Sequence, residues 1–238
     1  MKNIEKIFLF TPLILQTAIW PITRPLFRFF LHLKVEGLDN LQKLSPGVIF
    51  AANHTGELDP VLVPASLPFL SKFMPMFYTS RPKDFYKTSG WRQIFYGGTV
   101  FKLWGAHSVI SGYKDYGISL SRHIHIIQKG HSLLIFPEGK TTRTGNVMIE
   151  EARGGVTFLA EKTELPIVPI LLTDLYKMGF WDFVLRKRFV RVIFGRPIYA
   201  RDLVLKNDHD PEINYYKETS KNILKIVSEL SKVKTYNH

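Results

Sequence analysis

Four short apolar runs recur after the first 35 residues, and each is closed by turn residues. They occupy positions 48–52, 132–136, 167–172 and 190–194. The first three are essentially apolar throughout, which is typical of strands covered on both faces. Helical patterns fall at about 60–67, 115–129, 151–163 and 211–232. Strands that alternate with helices predict an α/β fold with a mostly parallel or mixed central sheet flanked by helices.

The first 34 residues carry a different pattern. Residues 7–22 are uncharged and lie between basic residues on both sides. This run is shorter than the about 20 apolar residues that a bilayer-spanning helix needs, and Pro12 and Gln16 interrupt it. A second apolar and basic piece follows at 25–33. Residues 1–34 therefore predict a membrane anchor of two short helices at the interface, followed by one domain over 35–238. A true span and a buried core element are the alternatives.

Composition narrows the chemistry. The 238 residues contain no cysteine, which excludes disulfides, thiolate metal sites and cysteine nucleophiles. The histidines have no partners at metal-ligand spacing, so we predict no metal site. The formal charge of +12 suits anionic lipid surfaces, nucleic acids and acidic carriers. No nucleic-acid-binding motif is recognisable, which makes nucleic acid the weakest of these partners.

A histidine follows the first predicted strand, in the sequence Asn53-His54-Thr-Gly-Glu-Leu-Asp59-Pro60. Ligands of α/β sheets bind beyond strand ends. Gly56 permits a turn that would bring Asp59 to His54, and Asp59-Pro60 is typical of a cap and first residue of a helix. A carboxylate on one ring nitrogen leaves the other free to accept a proton. The alternative is that both residues only cap elements of the fold.

The strand at 132–136 ends in Phe136-Pro-Glu138-Gly139-Lys140, so a second carboxylate and a cation lie at another strand end. Glycine lets the backbone approach a ligand closely. Lys140 and Arg143 suit phosphate oxygens. A turn with a solvated charge cluster is the alternative interpretation.

These residues resemble motifs of the phospholipid and glycerol acyltransferase family, of the lysophosphatidic acid acyltransferase type. Asn53-His54 with Asp59 is similar to its NHxxxxD motif, and 136–139 is similar to its FPEG motif. Residues 105–109 and 165–170 stand where its second and fourth motifs belong. The resemblance covers about residues 35 to 200 in the family's order.

Membership would imply that His54 deprotonates the hydroxyl of a lysophospholipid and Asp59 supports the imidazole. The oxygen then attacks an acyl thioester, either acyl-CoA or acyl carrier protein, without a further cofactor. The leading acceptor is 1-acyl-sn-glycerol 3-phosphate, whose product is phosphatidic acid. The implied substrate-binding residues are Asn53, Glu138, Gly139, Lys140 and Arg143.

Two departures from the family concern the acceptor phosphate. The family's Thr-Arg-Ser after FPEG is Lys140-Thr141-Thr142 here, and Ile110-Ser111 replace the arginine of the second motif. Lysine is a point charge and lacks the planar fork of arginine. Another lysolipid or an amino-acid-linked lipid therefore stays open as the acceptor.

Two other functions are compatible with these residues. A hydrolase would use the same His-Asp pair on water, and a non-catalytic lipid-binding protein would use only the anchor and the basic surface. Basic residues on both sides of the anchor favour a protein on the cytoplasmic face of the inner membrane.

Overall fold

A computed structural model describes residues 2–81, 99–110, 113, 115–203 and 212–232. Within these ranges seven strands form one sheet, in the order β1-β7-β6-β2-β5-β3-β4. Strands β6 and β7 pair antiparallel, and the other neighbours pair parallel. The strands are β1 (Lys34–Glu36), β2 (Ile49–Ala52), β3 (Met76–Ser80), β4 (Ala106–Ser108), β5 (Ser132–Ile135), β6 (Ile167–Leu172) and β7 (Arg191–Phe194). The predicted α/β class with a mixed sheet is confirmed.

The α-helices of the described residues are α1 (Lys2–Phe30), α2 (Asp59–Ser66), α3 (Thr99–Leu103), α4 (Tyr116–Ser119), α5 (Ser121–Gln128), α6 (Gly155–Thr163), α7 (Phe180–Val184) and α8 (Glu212–Glu229). Short 3₁₀ turns follow at Leu38–Leu41, Ile149–Glu151, Ala200–Asp202 and Leu230–Lys232. The helix predicted over 115–129 is divided at Leu120, and the one predicted from 151 begins at Gly155. Strands β1, β3 and β4 were not predicted, because runs of three to five residues have too little periodicity.

The N-terminal region corrects a prediction. The structure has one helix, α1, where the sequence predicted two, although Pro12, Pro21 and Pro25 lie inside it. Proline removes a helical hydrogen bond, but packing against neighbouring elements can hold such a helix together. Phe27 and Leu31 at its end are buried in the core. The domain boundary at residue 34 stays a prediction.

The sheet has an apolar layer on each face because successive strand residues point to opposite sides. Phe50 and Ala52 of β2 pack in one layer, on the side of α1 and α2. Ile49 and Ala51 pack in the other, with residues of α5, α6 and α8. The fold is thus a three-layer α/β sandwich, and the carboxyl ends of its central parallel strands share one edge.

One helix of the described residues, spanning Ile7–Phe30, is long and apolar enough to cross a membrane by length and composition. Only 11% of the most apolar 18-residue stretch of this helix is buried inside the protein. A core helix of a soluble domain would be mostly buried. Helix α1 therefore presents most of its apolar surface to the surroundings.

Candidate active site

Three neighbouring strands deliver side chains to one edge of the sheet. Strand β2 pairs parallel with β5, and β5 pairs parallel with β3. His54 follows β2, the segment 136–140 follows β5, and Arg81 follows β3. The backbone N–H of Thr142 donates to the carbonyl of His54 at 2.7 Å, which joins the first two loops. The two motifs found in the sequence therefore form one site.

His54 and Asp59 are in direct contact. The distance from His54 Nδ1 to Asp59 Oδ2 is 2.8 Å, as expected from a turn at Gly56. A carboxylate oxygen only accepts hydrogen bonds, so Nδ1 carries a proton, and in the neutral ring Nε2 is left with a lone pair. The His54 side chain keeps 22% of its surface exposed, whereas that of Asp59 has none. The pair thus joins a buried carboxylate to an accessible ring nitrogen.

Asp59 also organises the loop that carries the histidine. Its carboxylate accepts from the backbone N–H groups of Thr55 at 2.6 Å and Gly56 at 3.0 Å, and from the Thr55 hydroxyl at 2.8 Å. The predicted helix cap is wrong in detail, because Leu58 occupies the cap position and Asp59 is the first helical residue. Its carboxylate faces the preceding loop, where three donors compensate the cost of burying it.

The imidazole ring lies against an aromatic ring from the second motif. The ring centroids of His54 and Phe136 are 4.2 Å apart, and the planes are inclined by 18°. This stacking and the bond to Asp59 restrict the ring in two directions. The orientation of Nε2 is therefore set before a substrate arrives.

The side chain of Asn53, which the sequence predicted to bind substrate, makes its hydrogen bonds within the fold. Its side chain donates to the carbonyl of Leu172 at 2.9 Å and accepts from the Leu172 N–H at 2.8 Å. The residue is buried. An amide occupied in this way ties the end of β2 to the end of β6. Asn53 thereby positions the histidine loop, and its role in substrate binding stays a prediction.

Glu138 lies under the site with 1% of its surface exposed. It accepts from the N–H of Met148 at 3.2 Å. Burial raises the pKa of Glu138 to about 7, against the opposing effect of the N–H groups of Met148 and His54. A buried carboxyl that contacts the backbone of the histidine loop shapes the site from below. The sequence had assigned it to substrate contact.

Gly139 adopts a left-handed backbone with φ of 67°, and two arginines approach it. Arg81 donates to its carbonyl from Nη2 at 2.6 Å and from Nε at 3.2 Å. A Cβ on Gly139 would lie 2.5 Å from Arg153 Nε. Sequence reasoning missed both arginines, since neither belongs to a motif. The position of Arg81 after a strand that pairs with β5 is the signal that could have found it.

Lys140 and Arg143 are both near this edge. Lys140 Nζ lies 2.7 Å from a carboxylate oxygen of Glu151. The pKa of the Glu151 carboxyl is lowered by the hydrogen bond from Lys140 and by the charges of Lys140, Arg143 and Arg153. These three cations therefore cluster around one exposed carboxylate. Together with Arg81 they bring four cationic side chains to this end of the sheet.

Within the described ranges, no group of three His, Asp or Glu side chains is placed to hold a metal ion. The described side chains form a chemically distinct set at this edge. It consists of one accessible imidazole, its buried carboxylate partner and a cluster of cations. Such a set suits removal of a proton from a hydroxyl near a bound anion.

Known proteins that are similar to this chain are acyltransferases. The Acyltransferase family matches residues 32–173. A chloroplastic 1-acyl-sn-glycerol-3-phosphate acyltransferase of Brassica napus is 28% identical over 174 residues, which is 72% of this chain and 46% of that protein. A chloroplastic 1-acyl-sn-glycerol-3-phosphate acyltransferase of Arabidopsis thaliana is 26% identical over 180 residues, which is 72% of this chain and 45% of that protein. The chain spans about half the length of these relatives.

A solved structure shares the fold. The crystal structure of the 1-acyl-sn-glycerophosphate acyltransferase PlsC from Thermotoga maritima superposes with a TM-score of 0.60 at 18% identity. The superposition covers 94% of this chain and 81% of that one. Apolar helix α1 and these relatives together indicate a membrane-associated protein. The family match extends over more than half of the residues, and the chain belongs to the Acyltransferase family.

Proposed function

We propose that this protein transfers a fatty acyl group from an acyl thioester to the free hydroxyl of 1-acyl-sn-glycerol 3-phosphate, with phosphatidic acid as the product. Family membership supports the transfer, and the two plant relatives are named for this acceptor. The observation that carries the proposal is the 2.8 Å contact between His54 and Asp59 at the edge of the sheet.

In the proposed reaction His54 Nε2 takes the proton of the acceptor hydroxyl while the oxygen attacks the thioester carbonyl. A new C–O bond forms, the C–S bond breaks, and the leaving thiolate takes the proton back from the imidazolium. Asp59 holds the ring orientation and stabilises the imidazolium. The histidine passes the proton on and forms no covalent bond, so an acyl-enzyme is not part of the cycle.

The acceptor phosphate needs cations, and the structure offers four. Arg81 and Arg153 flank Gly139, while Lys140 and Arg143 lie on the adjoining loop. Arginine binds phosphate through a planar fork, which lysine cannot reproduce. Arg81 and Arg153 are therefore proposed to replace two arginines of the family pattern, the one in its second motif and the one in the Thr-Arg-Ser segment after FPEG.

The proposed donor is acyl-CoA or acyl carrier protein, with no further cofactor and no nucleic acid partner. Both donors are acidic, and the formal charge of +12 favours their approach. Both are made in the cytoplasm, and the lysolipid lies in the bilayer. The cytoplasmic face of the inner membrane is therefore the proposed location.

The test is transfer of a labelled acyl group from acyl-CoA and from acyl carrier protein onto a panel of lysolipids in vesicles. We expect transfer onto 1-acyl-sn-glycerol 3-phosphate by the wild type and a loss of about 10²–10⁴-fold in His54→Ala. His125→Ala is the matched control, because His125 is exposed on α5 and lies outside the site. It should retain the wild-type rate.

Other outcomes would revise the proposal in defined ways. Transfer onto a different lysolipid alone would keep the role of His54 and refute the acceptor. Release of free fatty acid in the absence of any lysolipid would indicate a hydrolase. Equal rates for His54→Ala and the wild type would refute the catalytic role of the histidine.

A further inference from the structure

Helix α1 has two faces of opposite character. Its inner face is fixed to the protein by polar contacts as well as apolar ones. Its outer face carries seven exposed residues spaced three or four apart, none of them charged. We call them the outer stripe: Ile7, Phe10, Ile14, Ala18, Ile22, Pro25 and Phe29. A surface helix of a soluble protein has polar residues on this side.

Hydrogen bonds hold α1 along the body. The buried Gln16 side chain donates to the carbonyls of Met76 at 2.8 Å and Trp104 at 2.9 Å, and accepts from the Met76 N–H at 2.9 Å. About two turns further along α1, Arg24 donates to the carbonyls of Ala65 and Leu67. Insertion of α1 across a bilayer would break these bonds and leave buried groups without partners. A helix held on the body in this way can contact lipid only through its outer stripe.

A second apolar segment adjoins the end of α1. Residues 180–189 include four side chains that are more than half exposed: Phe180 (72%), Trp181 (66%), Leu185 (57%) and Phe189 (66%). Large apolar residues exposed side by side in this number are unusual outside an interaction site. Their position in sequence, about 150 residues after α1, gives no hint that the two segments meet.

Ring contacts join the two segments. The rings of Phe183 and Phe30 stack at 5.0 Å, and those of Phe189 and His32 stack at 4.5 Å. The Arg186 guanidinium lies 4.2 Å above the Phe29 ring, and its Nε donates to the Phe29 carbonyl at 3.0 Å. The outer stripe therefore continues into residues 180–189 as one apolar surface.

Exposed cations border this surface. Arg28 lies beside Phe29, while Arg186 and Lys187 lie between Leu185 and Phe189. Aromatic residues next to basic ones are typical of sites that enter the headgroup region of anionic lipid. A second copy docked through the same surface would oppose its cations to identical cations, which is unfavourable. Charge complementarity thus selects an anionic bilayer as the occupant.

We propose that residues 180–189 form a second membrane contact, which acts together with the outer stripe so that α1 lies in the plane of an anionic bilayer. A second contact beside the outer stripe opposes rotation of the protein about the axis of α1 more strongly than the stripe does alone. The proposal concerns binding alone and does not depend on the proposed reaction.

The test is cosedimentation of the full chain with vesicles of phosphatidylcholine and phosphatidylglycerol, without an acyl donor. Trp181→Ser/Leu185→Ser should lower the partition coefficient about tenfold or more, because two apolar side chains no longer enter the lipid. Ile118→Ser is the matched control, since Ile118 on α4 is 44% exposed and lies outside this surface. Its partition coefficient should equal that of the wild type.

A second measurement does not depend on a disruptive variant. Brominated lipids should quench the wild type more strongly than Trp181→Phe, which keeps an aromatic ring and should bind normally. Equal quenching of the two proteins would overturn the proposal. So would an unchanged partition coefficient in the double serine variant. A dimer in vesicle-free buffer that the double variant abolishes would also overturn it and identify a second copy as the occupant.

Discussion

Two histidine environments in the same sheet show what separates a reactive imidazole from a structural one. His54 lies beyond the end of β2, is partly exposed and contacts the Asp59 carboxylate. His107 on β4 and His123 on α5 are buried together, and His123 Nε2 lies 3.0 Å from the His107 carbonyl. Burial, with a smaller contribution from the charge of Arg122, lowers the pKa of His107 to about 3 and that of His123 to about 4.

The two environments differ in the hydrogen-bond partner of the imidazole and in its access to water. Protonation of His107 or His123 would place a cation in an apolar layer, where burial disfavours the charged form. Protonation of His54 would place the cation beside Asp59 and near water. A histidine can cycle between its two forms during a reaction only in the second environment.

The first variant removes the carboxylate partner of His54. Asp59→Asn should lower the acyl-transfer rate about 10³-fold, because the amide no longer favours the imidazolium and can present an N–H to Nδ1. Initial rates with saturating donor measure this effect. Asp115→Asn, at the cap of α4, is the matched control and should keep its rate. Full activity in Asp59→Asn would mean that the carboxylate does not distinguish His54 from the buried pair.

The buried pair should respond to acid through stability instead of activity. The pKa of His123 is about 6.5 in the unfolded chain and about 4 in the folded protein, so its stabilising contribution is present above 6.5 and is lost as the pH falls towards 4. His123→Leu should therefore reduce the loss of unfolding free energy between pH 7 and pH 5 by about 2 kcal/mol.

Urea titrations at the two pH values measure this difference. His125→Leu, which alters an exposed histidine of the same helix, is the control and should leave the pH dependence as in the wild type. An identical pH dependence in His123→Leu and the wild type would contradict burial as the cause of the low pKa.

The contribution of Glu138 to stability should change with pH in the direction opposite to that of His123. Its carboxyl pKa rises from 4.5 in the unfolded chain to about 7 in the fold, so the folded state binds the proton more tightly. Stability from this group decreases as the pH rises from about 4.5 to about 7. Glu138→Gln should remove about 2 kcal/mol of this decrease between pH 5 and pH 7. The same urea titrations apply, and Glu229→Gln on α8 serves as the control.

The smallest effect concerns the acceptor phosphate. Arg153→Ala should raise the KM for 1-acyl-sn-glycerol 3-phosphate about threefold, because an exposed cation contributes weakly to binding a phosphate. Steady-state rates at varied acceptor concentration measure it. Arg201→Ala, an exposed arginine outside the site, is the control. A change in kcat with an unaltered KM would argue against a contact between Arg153 and the phosphate.

The strong periodic elements of this chain were predictable from its sequence. Continuous apolar runs identified β2, β5 and β6, and turn residues after two of them located His54 and Glu138. The contact between His54 and Asp59 followed from a glycine that lets the chain turn between them. Short strands such as β1 and β4 were missed, because three residues contain less than two periods of the alternating pattern.

Arg81 and Arg153 could not be assigned to the site from the sequence. Arg81 belongs there because β3 pairs with β5, and the order of strands in a sheet is not encoded in any single strand. The hydrogen bonds of Asn53 were missed for the same reason, since its partner, Leu172, is 119 residues away. Long-range partners depend on which elements pack together, which local patterns do not specify.

The sequence by itself determined the layer architecture, the histidine and carboxylate at one strand end, and the apolar character of the N-terminus. Each of these depends on interactions between residues close in the chain or on composition. The tertiary structure alone decided that α1 is one helix held by Gln16, that residues 180–189 extend its exposed stripe, and that arginines approach Gly139. These features arise from contacts between distant segments, and their energies become available only when the layers have packed.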